Sequence, residues 1–247
     1  MIAIRSQAEL DLIRESGAIL VDCIKILEEM LRPGVTTGEL DRAAEELIRS
    51  RGAAPAFKGY QGYPASICTS VNEQVVHGIP GARRLAEGDI VGIDVGVVQN
   101  GYHADASRTY PIGETSEKAL QIIAVTREAL ELAIDKARVG NHLSDISNVI
   151  QRHAESNGFS VVRNLVGHGI GQRMHEDPQI PNFGLPGRGP VLSHGMVLAI
   201  EPMVNEGSFD VVTLRDNWTF VTVDGKLSAH FEDTVAVTTE GPVIMTR

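Results

Sequence analysis

The spacing of apolar residues divides the chain into helices and strands. Apolar positions three or four residues apart predict helices over residues 6–31, 38–51, 116–138 and 144–157. A capping-box pattern of Ser6 and Glu9 marks the start of the first helix, and Thr37 is the expected N-cap of the second. Runs rich in β-branched residues predict strands over residues 66–70 and 227–237 and a hairpin over residues 88–110.

The order of these elements repeats within the chain. Residues 87–95, which lead into the hairpin, resemble residues 194–202. Two α-α-β-β halves, at about residues 6–112 and 113–247, are therefore expected within one domain spanning residues 1–247. The pattern predicts an α+β fold with pseudo-twofold symmetry, in which helices cover a curved, mainly antiparallel sheet.

The composition is that of an ordinary globular protein with a negative net charge. Hydrophobic residues make up 43% of the 247 residues, and charged residues make up 22%. A net charge of −10 argues against general nucleic-acid binding, which needs a basic surface. No apolar stretch has the length of a membrane span, and we see no secretory signal, so a cytoplasmic location is predicted. Cys23 and Cys68 form no Cys-x-x-Cys pair, and a disulfide framework is not expected.

The predicted hairpin carries two acidic residues, Asp94 and Asp105, within apolar strands. With a Gln99-Asn100 loop the two residues would face each other directly. With an Asn100-Gly101 loop they would be offset by two residues along the strands but would remain on the same face of the sheet. Either register places both carboxylates on one face, where they repel each other unless a cation lies between them. An exposed hairpin whose acids point to solvent is the alternative, and the pair alone leaves both interpretations open.

The internal repeat adds further acids and a histidine to this pair. Glu201 takes the position equivalent to Asp94, so each half has an acid at the end of an apolar strand. Glu232 lies in the last predicted strand, and His168 lies between glycines, where the backbone can approach a ligand closely. Four carboxylates and one imidazole suit a pair of divalent transition-metal ions that share carboxylates and activate water.

Several motifs make the chain similar to a known family. They are Asn72-Glu73, His77-Gly78-Ile79-Pro80, Ile93-Asp94-Val95-Gly96, His168-Gly169-Ile170-Gly171, His175-Glu176-Asp177-Pro178 and Ile200-Glu201-Pro202-Met203. Together with the order of the five candidate ligands, they resemble the methionine aminopeptidases over nearly the whole chain, in the short bacterial type I form. The resemblance implies the pita-bread fold and a metal-dependent aminopeptidase that removes the initiator methionine when the second residue is small.

The resemblance also implies a role for each matched ligand. Two divalent ions, for which Mn, Fe, Co and Zn are all suitable, would be held by Asp94, Asp105, His168, Glu201 and Glu232. Asp105 and Glu232 would bridge the ions. Asp94 would complete one of them, and His168 and Glu201 would complete the other. Glu201 would in addition act as the acid–base group toward water.

Further residues are implied to bind the substrate. His175 would polarise the scissile carbonyl, and His77 would contact the amide nitrogen of the bond being cut. The apolar pocket for the methionine side chain would be lined by Tyr60, Tyr63, Cys68 and Trp218. Trp218 is also compatible with a place in the core.

Four positions depart from the family pattern: Phe57, Met174, His230 and Asp233. Met174 stands where an aromatic residue is usual, which predicts a softer or wider pocket rim. His230 stands where Gln is common, and we hypothesise that it shares a strand face with Glu232 and donates a hydrogen bond to a ligating carboxylate. Surface or structural roles are expected for the remaining histidines, His103, His142, His153 and His194.

Two other functions stay open at this point. A related X-Pro peptidase has the same fold, and a pita-bread protein that has lost catalysis would act as a binding module. The presence of all five ligands with His77 and His175 favours the aminopeptidase. The expected partners are the N-termini of nascent polypeptides, with the ribosome surface as a further candidate. Neither a membrane nor a specific nucleic acid is expected, and the chain is expected to be a monomer.

Overall fold

The structure, a computed structural model, describes residues 1–247 and contains four α-helices and fifteen strands. The first part of the chain consists of α1 (Gln7–Met30), α2 (Thr37–Ser50), β1 (Ala54–Pro55), a 3-10 turn (Tyr60–Gly62), β2 (Ile67–Val71), β3 (Gln74–Val76), β4 (Ile90–Gln99) and β5 (Tyr102–Pro111). The second part consists of α3 (Glu117–Lys136), α4 (Leu143–Ser156), β6 (Ser160–Val161), β7 (Val166–Gly169), β8 (Glu176–Pro181), β9 (Val197–Ile200), β10 (Met203–Asn205), β11 (Val211–Thr213), β12 (Phe220–Thr222), β13 (Ser228–His230), β14 (Glu232–Thr238) and β15 (Gly241–Ile244). None of the helices combines the length and the hydrophobicity needed to cross a membrane.

The helices begin at side chains that satisfy their free backbone N–H groups. Ser6 and Glu9 form the predicted capping box at the start of α1. A second capping box starts α2, where the Thr36 hydroxyl accepts from the Glu39 N–H at 3.2 Å and the Glu39 carboxylate accepts from the Thr36 N–H at 2.7 Å. The N-cap is therefore Thr36, one residue before the predicted Thr37, because Thr36 is the residue placed three before an acid.

Other element boundaries also differ from the prediction. α4 begins one residue early, because the Asp145 carboxylate accepts a hydrogen bond from the backbone N–H of His142. The strand expected over residues 66–70 lies one residue later as β2. The strand expected over residues 227–237 is two strands, β13 and β14, separated by Phe231. The break arises because β13 pairs with β10, whereas β14 pairs with β5 and β9 of another sheet.

A nine-stranded antiparallel sheet joins the two parts of the chain. Its central order is β1-β4-β5-β14-β9-β7-β8, with β2 beside β4 and β15 beside β14. The two parts meet where β14 pairs with β5, placing Glu232 opposite Ser107 and Asp233 opposite Ala106. Side chains of the first and second parts therefore come together at the middle of this sheet.

Each pair of helices covers its own apolar cluster. α1 and α2 pack against the β4–β5 hairpin through 19 buried residues, among them Leu40 and Ile93. α3 and α4 pack against the strands of the second part through 25 buried residues, among them Ile146 and Leu198. Burial on this scale holds the strands on both sides of the junction in fixed positions.

The β4–β5 hairpin turns at Asn100-Gly101, the second of the two loops considered from the sequence. Gln99 pairs with Tyr102, and both loop residues have positive φ, 52° at Asn100 and 80° at Gly101. These angles belong to a type I′ turn, for which Asn-Gly is the favoured sequence. The turn fixes the register of the two strands and, with it, the relative positions of their acids.

Replacing Gly101 with Ala should therefore lower the free energy of unfolding by about 1–2 kcal/mol, the cost of a Cβ atom in the left-handed region. Chemical denaturation followed by circular dichroism measures the change. Gly81→Ala is the matched control, because no heavy atom lies within 4 Å of its added Cβ and its φ is not positive. That control should shift stability by no more than about 0.5 kcal/mol. Equal stabilities of the two variants would contradict the role given to the turn.

Candidate active site

Five side chains with metal-binding chemistry meet where the two parts of the sheet join. They come from β4 (Asp94), β5 (Asp105), β7 (His168), the residue after β9 (Glu201) and β14 (Glu232). In the hairpin, Asp94 lies opposite Ser107 and Asp105 lies opposite Gly96. The two acids are therefore offset by two residues along the strands and lie on the same face of the sheet. Each part of the chain thus contributes acids to a single cluster.

The ligand atoms of these side chains are close enough to surround an ion. One atom each from Asp105, His168 and Glu232 lie within 4.8 Å of one another, and the same holds for Glu201, His230 and Glu232. The Nε2 atom of His168 is 3.7 Å from Oε1 of Glu201. Asp94 is in neither group but lines the same cavity, so the structure brings together all five candidate ligands expected from the sequence.

Burial makes this cluster an unusual concentration of negative charge. The exposed fraction is 8% for Asp94, 4% for Asp105 and 2% for Glu232. Burial raises the pKa of Asp94 to about 6 and that of Glu201 to about 8. The pKa values of Asp105 and Glu232 are raised well above the usual range. Burial is the largest cause, and repulsion by the neighbouring carboxylates is the second.

No permanently charged basic side chain offsets this charge within the cavity. The lining contains neither Lys nor Arg. One buried oxygen each of Asp94, Asp105 and Glu232 has no hydrogen-bond partner. Divalent cations would supply both the missing charge and the missing contacts, so the donor set fits such ions.

The residue next to Glu232 provides an internal contrast. Asp233 is also completely buried, on the opposite face of β14, but its carboxylate accepts hydrogen bonds from Arg108 at 2.6 Å, Arg247 at 2.7 Å and the Thr246 hydroxyl at 2.7 Å. This chain therefore pairs a buried acid with guanidinium groups where the acid is structural. The acids of the cavity lack such partners.

The hydrogen bonding of His168 prepares its ring to act as a ligand. Its Nδ1 lies 2.9 Å from the Gly169 carbonyl oxygen, which can only accept, so Nδ1 carries the proton. The lone pair of Nε2 is then directed toward the acids. Burial lowers the pKa of His168 to about 3, which keeps the ring neutral.

An aromatic wall completes the cavity beside the acids. The predicted pocket residues Tyr60, Tyr63, Cys68 and Trp218 all line it, together with His77 and His175. The rings of Tyr63 and Trp218 meet edge to face with centroids 5.0 Å apart. The Tyr60 hydroxyl is 2.7 Å from Nδ1 of His175, whose ring centroid is 4.3 Å from that of His168. The cavity thus combines the four acids and His168 with two further imidazoles and an apolar wall.

The structure adds Phe57 and His230 to the lining expected from the sequence. His230 is separated from Glu232 by the strand break, so the two do not share a strand face as predicted, although both line the cavity. Met174, expected at the pocket rim, is only 1% exposed, does not line the cavity and lies in an apolar cluster that Phe57 packs against. Of the four departures, Phe57 and His230 therefore line the cavity, and Met174 and Asp233 do not.

The four remaining histidines lie outside the cavity. His103 contacts the Gly171 carbonyl at 3.0 Å, His142 contacts the Gly189 carbonyl at 3.1 Å, and His153 lies 3.2 Å from Glu128. His194 is exposed in a turn. These positions agree with the surface and structural roles expected for them.

Comparisons with known proteins can now be set beside this geometry. The pattern of metallopeptidase family M24 matches residues 11–239. The methionine aminopeptidase of Clostridium perfringens is 58% identical over 246 residues, which cover 100% of this chain and 99% of that protein. The chain belongs to the methionine aminopeptidases of metallopeptidase family M24. The family and enzyme class predicted from the sequence, a metal-dependent aminopeptidase, are therefore confirmed.

Solved structures agree with this membership of family M24. The crystal structure of methionine aminopeptidase from Thermotoga maritima superimposes with a TM-score of 0.99 at 46% identity, covering 100% of both chains. A prolidase from Pyrococcus furiosus superimposes with a TM-score of 0.81 at 24% identity, covering 99% of this chain and 65% of that one, and so has the same fold. The predicted α+β pita-bread fold is confirmed, and membership of the family implies divalent metal cofactors.

The uncompensated charge predicts an unusual response to Asp105→Asn. A carboxyl whose pKa is raised by folding destabilises the folded state above its ordinary pKa, so at neutral pH the metal-free variant should unfold at a higher temperature than the metal-free parent protein. Each kcal/mol added to the free energy of unfolding raises the unfolding temperature by about 2–4 °C. The stabilisation produced by added Mn²⁺ should shrink at the same time, because a ligand has been lost.

Differential scanning calorimetry with EDTA and then with Mn²⁺ measures both effects. Asp11→Asn is the control, because Asp11 lies on the exposed face of α1 and pairs only at the surface with Arg14 and Gln7. A lower unfolding temperature for metal-free Asp105→Asn would show that the cluster is not strained by its charge.

Proposed function

We propose that this protein removes the N-terminal methionine from new polypeptides whose second residue is small, by a hydrolysis that requires divalent metal ions. The observation that carries the proposal is a single cavity in which five buried metal-binding side chains face an apolar aromatic wall. Similarity over the full length to the methionine aminopeptidase of Clostridium perfringens supports the choice of substrate. Nascent chains are the partners in this proposal, which places the protein in the cytoplasm near the ribosome surface.

Two divalent ions are held at the junction of the sheet in this proposal, with Mn, Fe, Co and Zn all compatible with the ligands. Asp105 and Glu232, on the adjacent strands β5 and β14, would hold these ions together with Asp94, His168 and Glu201. When bound, such ions lower the pKa of water to about 7 and polarise the scissile carbonyl group.

Glu201 is the residue that we assign to proton transfer. It is the least buried of the four acids, with 12% of its side chain exposed, so it is the acid that water in the cavity can reach. Its carboxylate accepts a proton from the attacking water and passes it to the departing amine. The other three acids are more deeply enclosed by the strands that carry them.

His175 and His77 handle the peptide group. The Tyr60 hydroxyl can donate to Nδ1 of His175, which leaves a proton on Nε2 for the carbonyl oxygen as negative charge develops there. His77 has a positive φ of 59° directly after β3, and its ring packs against those of Trp218 and Phe220, with centroids 6.4 and 5.8 Å away. This placement supports a contact between His77 and the amide nitrogen of the bond being cut.

The aromatic wall suits the methionine side chain. Thioether sulfur atoms pack favourably against aromatic ring edges, which Tyr60, Tyr63 and Trp218 provide here. Cys68 lies in the same wall. Burial raises the pKa of its thiol well above the usual range, so it lines the pocket rather than acting as a nucleophile.

We also propose that residues 1–247 act as a single catalytic domain made of two halves, residues 6–112 and 113–247, and that the chain is a monomer. The support is the sheet that runs through both halves and the acids that each half contributes to one cavity. A cavity assembled in this way needs no second subunit to supply a ligand.

Peptide hydrolysis by chelator-stripped protein tests the proposed activity. With added Mn²⁺ we expect Met-Ala-Ser to be cleaved, and without metal we expect no turnover. Met-Leu-Ser should be cleaved at least about tenfold more slowly, because the site admits a small second residue. Faster cleavage of Ala-Pro-Ser than of Met-Ala-Ser would instead identify an X-Pro peptidase. Absence of both metal binding and hydrolysis would identify a binding module.

Glu201→Gln tests the assignment of proton transfer. The variant removes the proton-accepting group and one ligand charge, so kcat for Met-Ala-Ser should fall by about 10²–10⁴-fold while the circular dichroism spectrum is unchanged. Glu206→Gln is the control, because Glu206 is half-buried outside the cavity and accepts only from the Leu227 N–H at 3.4 Å. Near-normal turnover by Glu201→Gln would contradict the assigned role.

A further inference from the structure

His230 points an unpaired nitrogen at the acids of the cavity. The residue ends β13 and is 3% exposed. Its Nε2 lies 3.5 Å from Oε2 of Glu201 and 3.9 Å from Oε2 of Glu232, and it is buried without a hydrogen-bond partner. A buried polar atom in this situation is costly unless it gains a partner in the working state of the site.

The two oxygens of Glu201 face different histidines. Oε1 is 3.7 Å from Nε2 of His168, and Oε2 is 3.5 Å from Nε2 of His230. The two imidazoles therefore lie on either side of one carboxylate at similar distances. By distance alone, His230 could be either an additional metal ligand or a hydrogen-bond donor to Glu201.

The second ring nitrogen separates these two roles. A ligating histidine almost always donates its other N–H to a carbonyl or carboxylate, which fixes the lone pair toward the metal. His168 has this arrangement through the Gly169 carbonyl. Nδ1 of His230 makes no hydrogen bond within the protein, so nothing holds the proton on Nδ1, and Nε2 is free to carry it.

The backbone of His230 is nevertheless held firmly. The Thr109 hydroxyl accepts from the His230 N–H at 3.0 Å and donates to the His230 carbonyl at 2.8 Å. Thr109 belongs to β5, the strand that also carries Asp105. The backbone of His230 is thus anchored to the strand that carries Asp105, which fixes the point from which its ring reaches the acids.

We propose that His230 is a positioning residue whose Nε2–H donates a hydrogen bond to Oε2 of Glu201 and keeps Oε1 directed toward the side of His168. The inference rests on the proposed function, because it concerns how Glu201 is presented to a bound ion. It assigns to this chain a donor from β13 in addition to the five ligands.

Calorimetric titration of chelator-stripped protein with Mn²⁺ tests the inference through metal affinity. His230→Leu, which fills similar space without a donor, should weaken Mn²⁺ binding by about 10–100-fold. His230→Gln, whose amide can donate, should restore most of that affinity. His194→Ala is the control, because His194 is exposed in a turn, and it should bind as the parent protein does.

A spectroscopic readout distinguishes a donor from a ligand. In protein loaded with Co²⁺, each coordinated imidazole with an N–H gives a strongly shifted, exchangeable proton NMR signal. We expect the single signal of His168 in both the parent protein and His230→Gln. A second signal that disappears in His230→Gln would show that His230 is a ligand and would overturn the inference, even if His230→Leu failed to fold.

Two affinity results would also overturn the inference. One is unchanged Mn²⁺ affinity in His230→Leu, and the other is equal weakening in the Leu and Gln variants. Failure of the parent protein itself to bind Mn²⁺ would instead reject the proposed function, so the two failures are distinguishable.

Discussion

Mutual repulsion among four buried carboxylates is the constraint on which the rest of this structure depends. Asp94, Asp105, Glu201 and Glu232 share one cavity whose lining contains neither Lys nor Arg. Removing several like charges from water costs free energy that only an opposite charge or protonation can offset. Divalent ions bound among these acids would relieve the repulsion, so folding and metal binding would be linked.

The scaffold around the acids explains how this strain is tolerated. β14 carries Glu232 on the cavity face and Asp233 on the opposite face, and only Asp233 is paired with Arg108 and Arg247. The strands on either side of the junction are held by apolar clusters of 19 and 25 buried residues. The two helix pairs thus hold the strands on both sides of the junction against the repulsion. β14, the strand at the junction, is held in addition by the ion pairs of Asp233 on the face away from the cavity.

Rigid strands and shorter connecting segments contribute different parts of the site. Asp94 and Asp105 lie within buried strands, Glu232 begins one and Glu201 directly follows one, so strand pairing defines the positions of the acids. The groups assigned to the peptide, Tyr60, His77 and His175, come from segments outside those strands. This division suits a metal-dependent hydrolase, because candidate metal ligands on paired strands stay fixed while the segments around the substrate can admit and release a peptide.

The sequence by itself determined the features whose signals are local or repeated. Helical spacing located all four helices, and the internal repeat related Glu201 to Asp94, while the motifs identified the family. The hairpin register could also be predicted from the sequence, because Asn-Gly at residues 100–101 is the favoured sequence for a type I′ turn. Boundaries were wrong by a residue where one capping side chain competes with its neighbour, as at Thr36 and Thr37.

Only the tertiary structure decided features that depend on contacts between distant segments. The strand break at Phe231 follows from pairing with two different sheets. Met174 is absent from the cavity lining because its side chain packs into an apolar cluster formed with α1. Nε2 of His230 lies nearer to the carboxylate of Glu201, which follows β9, than to that of Glu232, two residues away in the chain. Composition and periodicity fix which face of an element is buried, but the partner across a cavity is set by how separate elements pack.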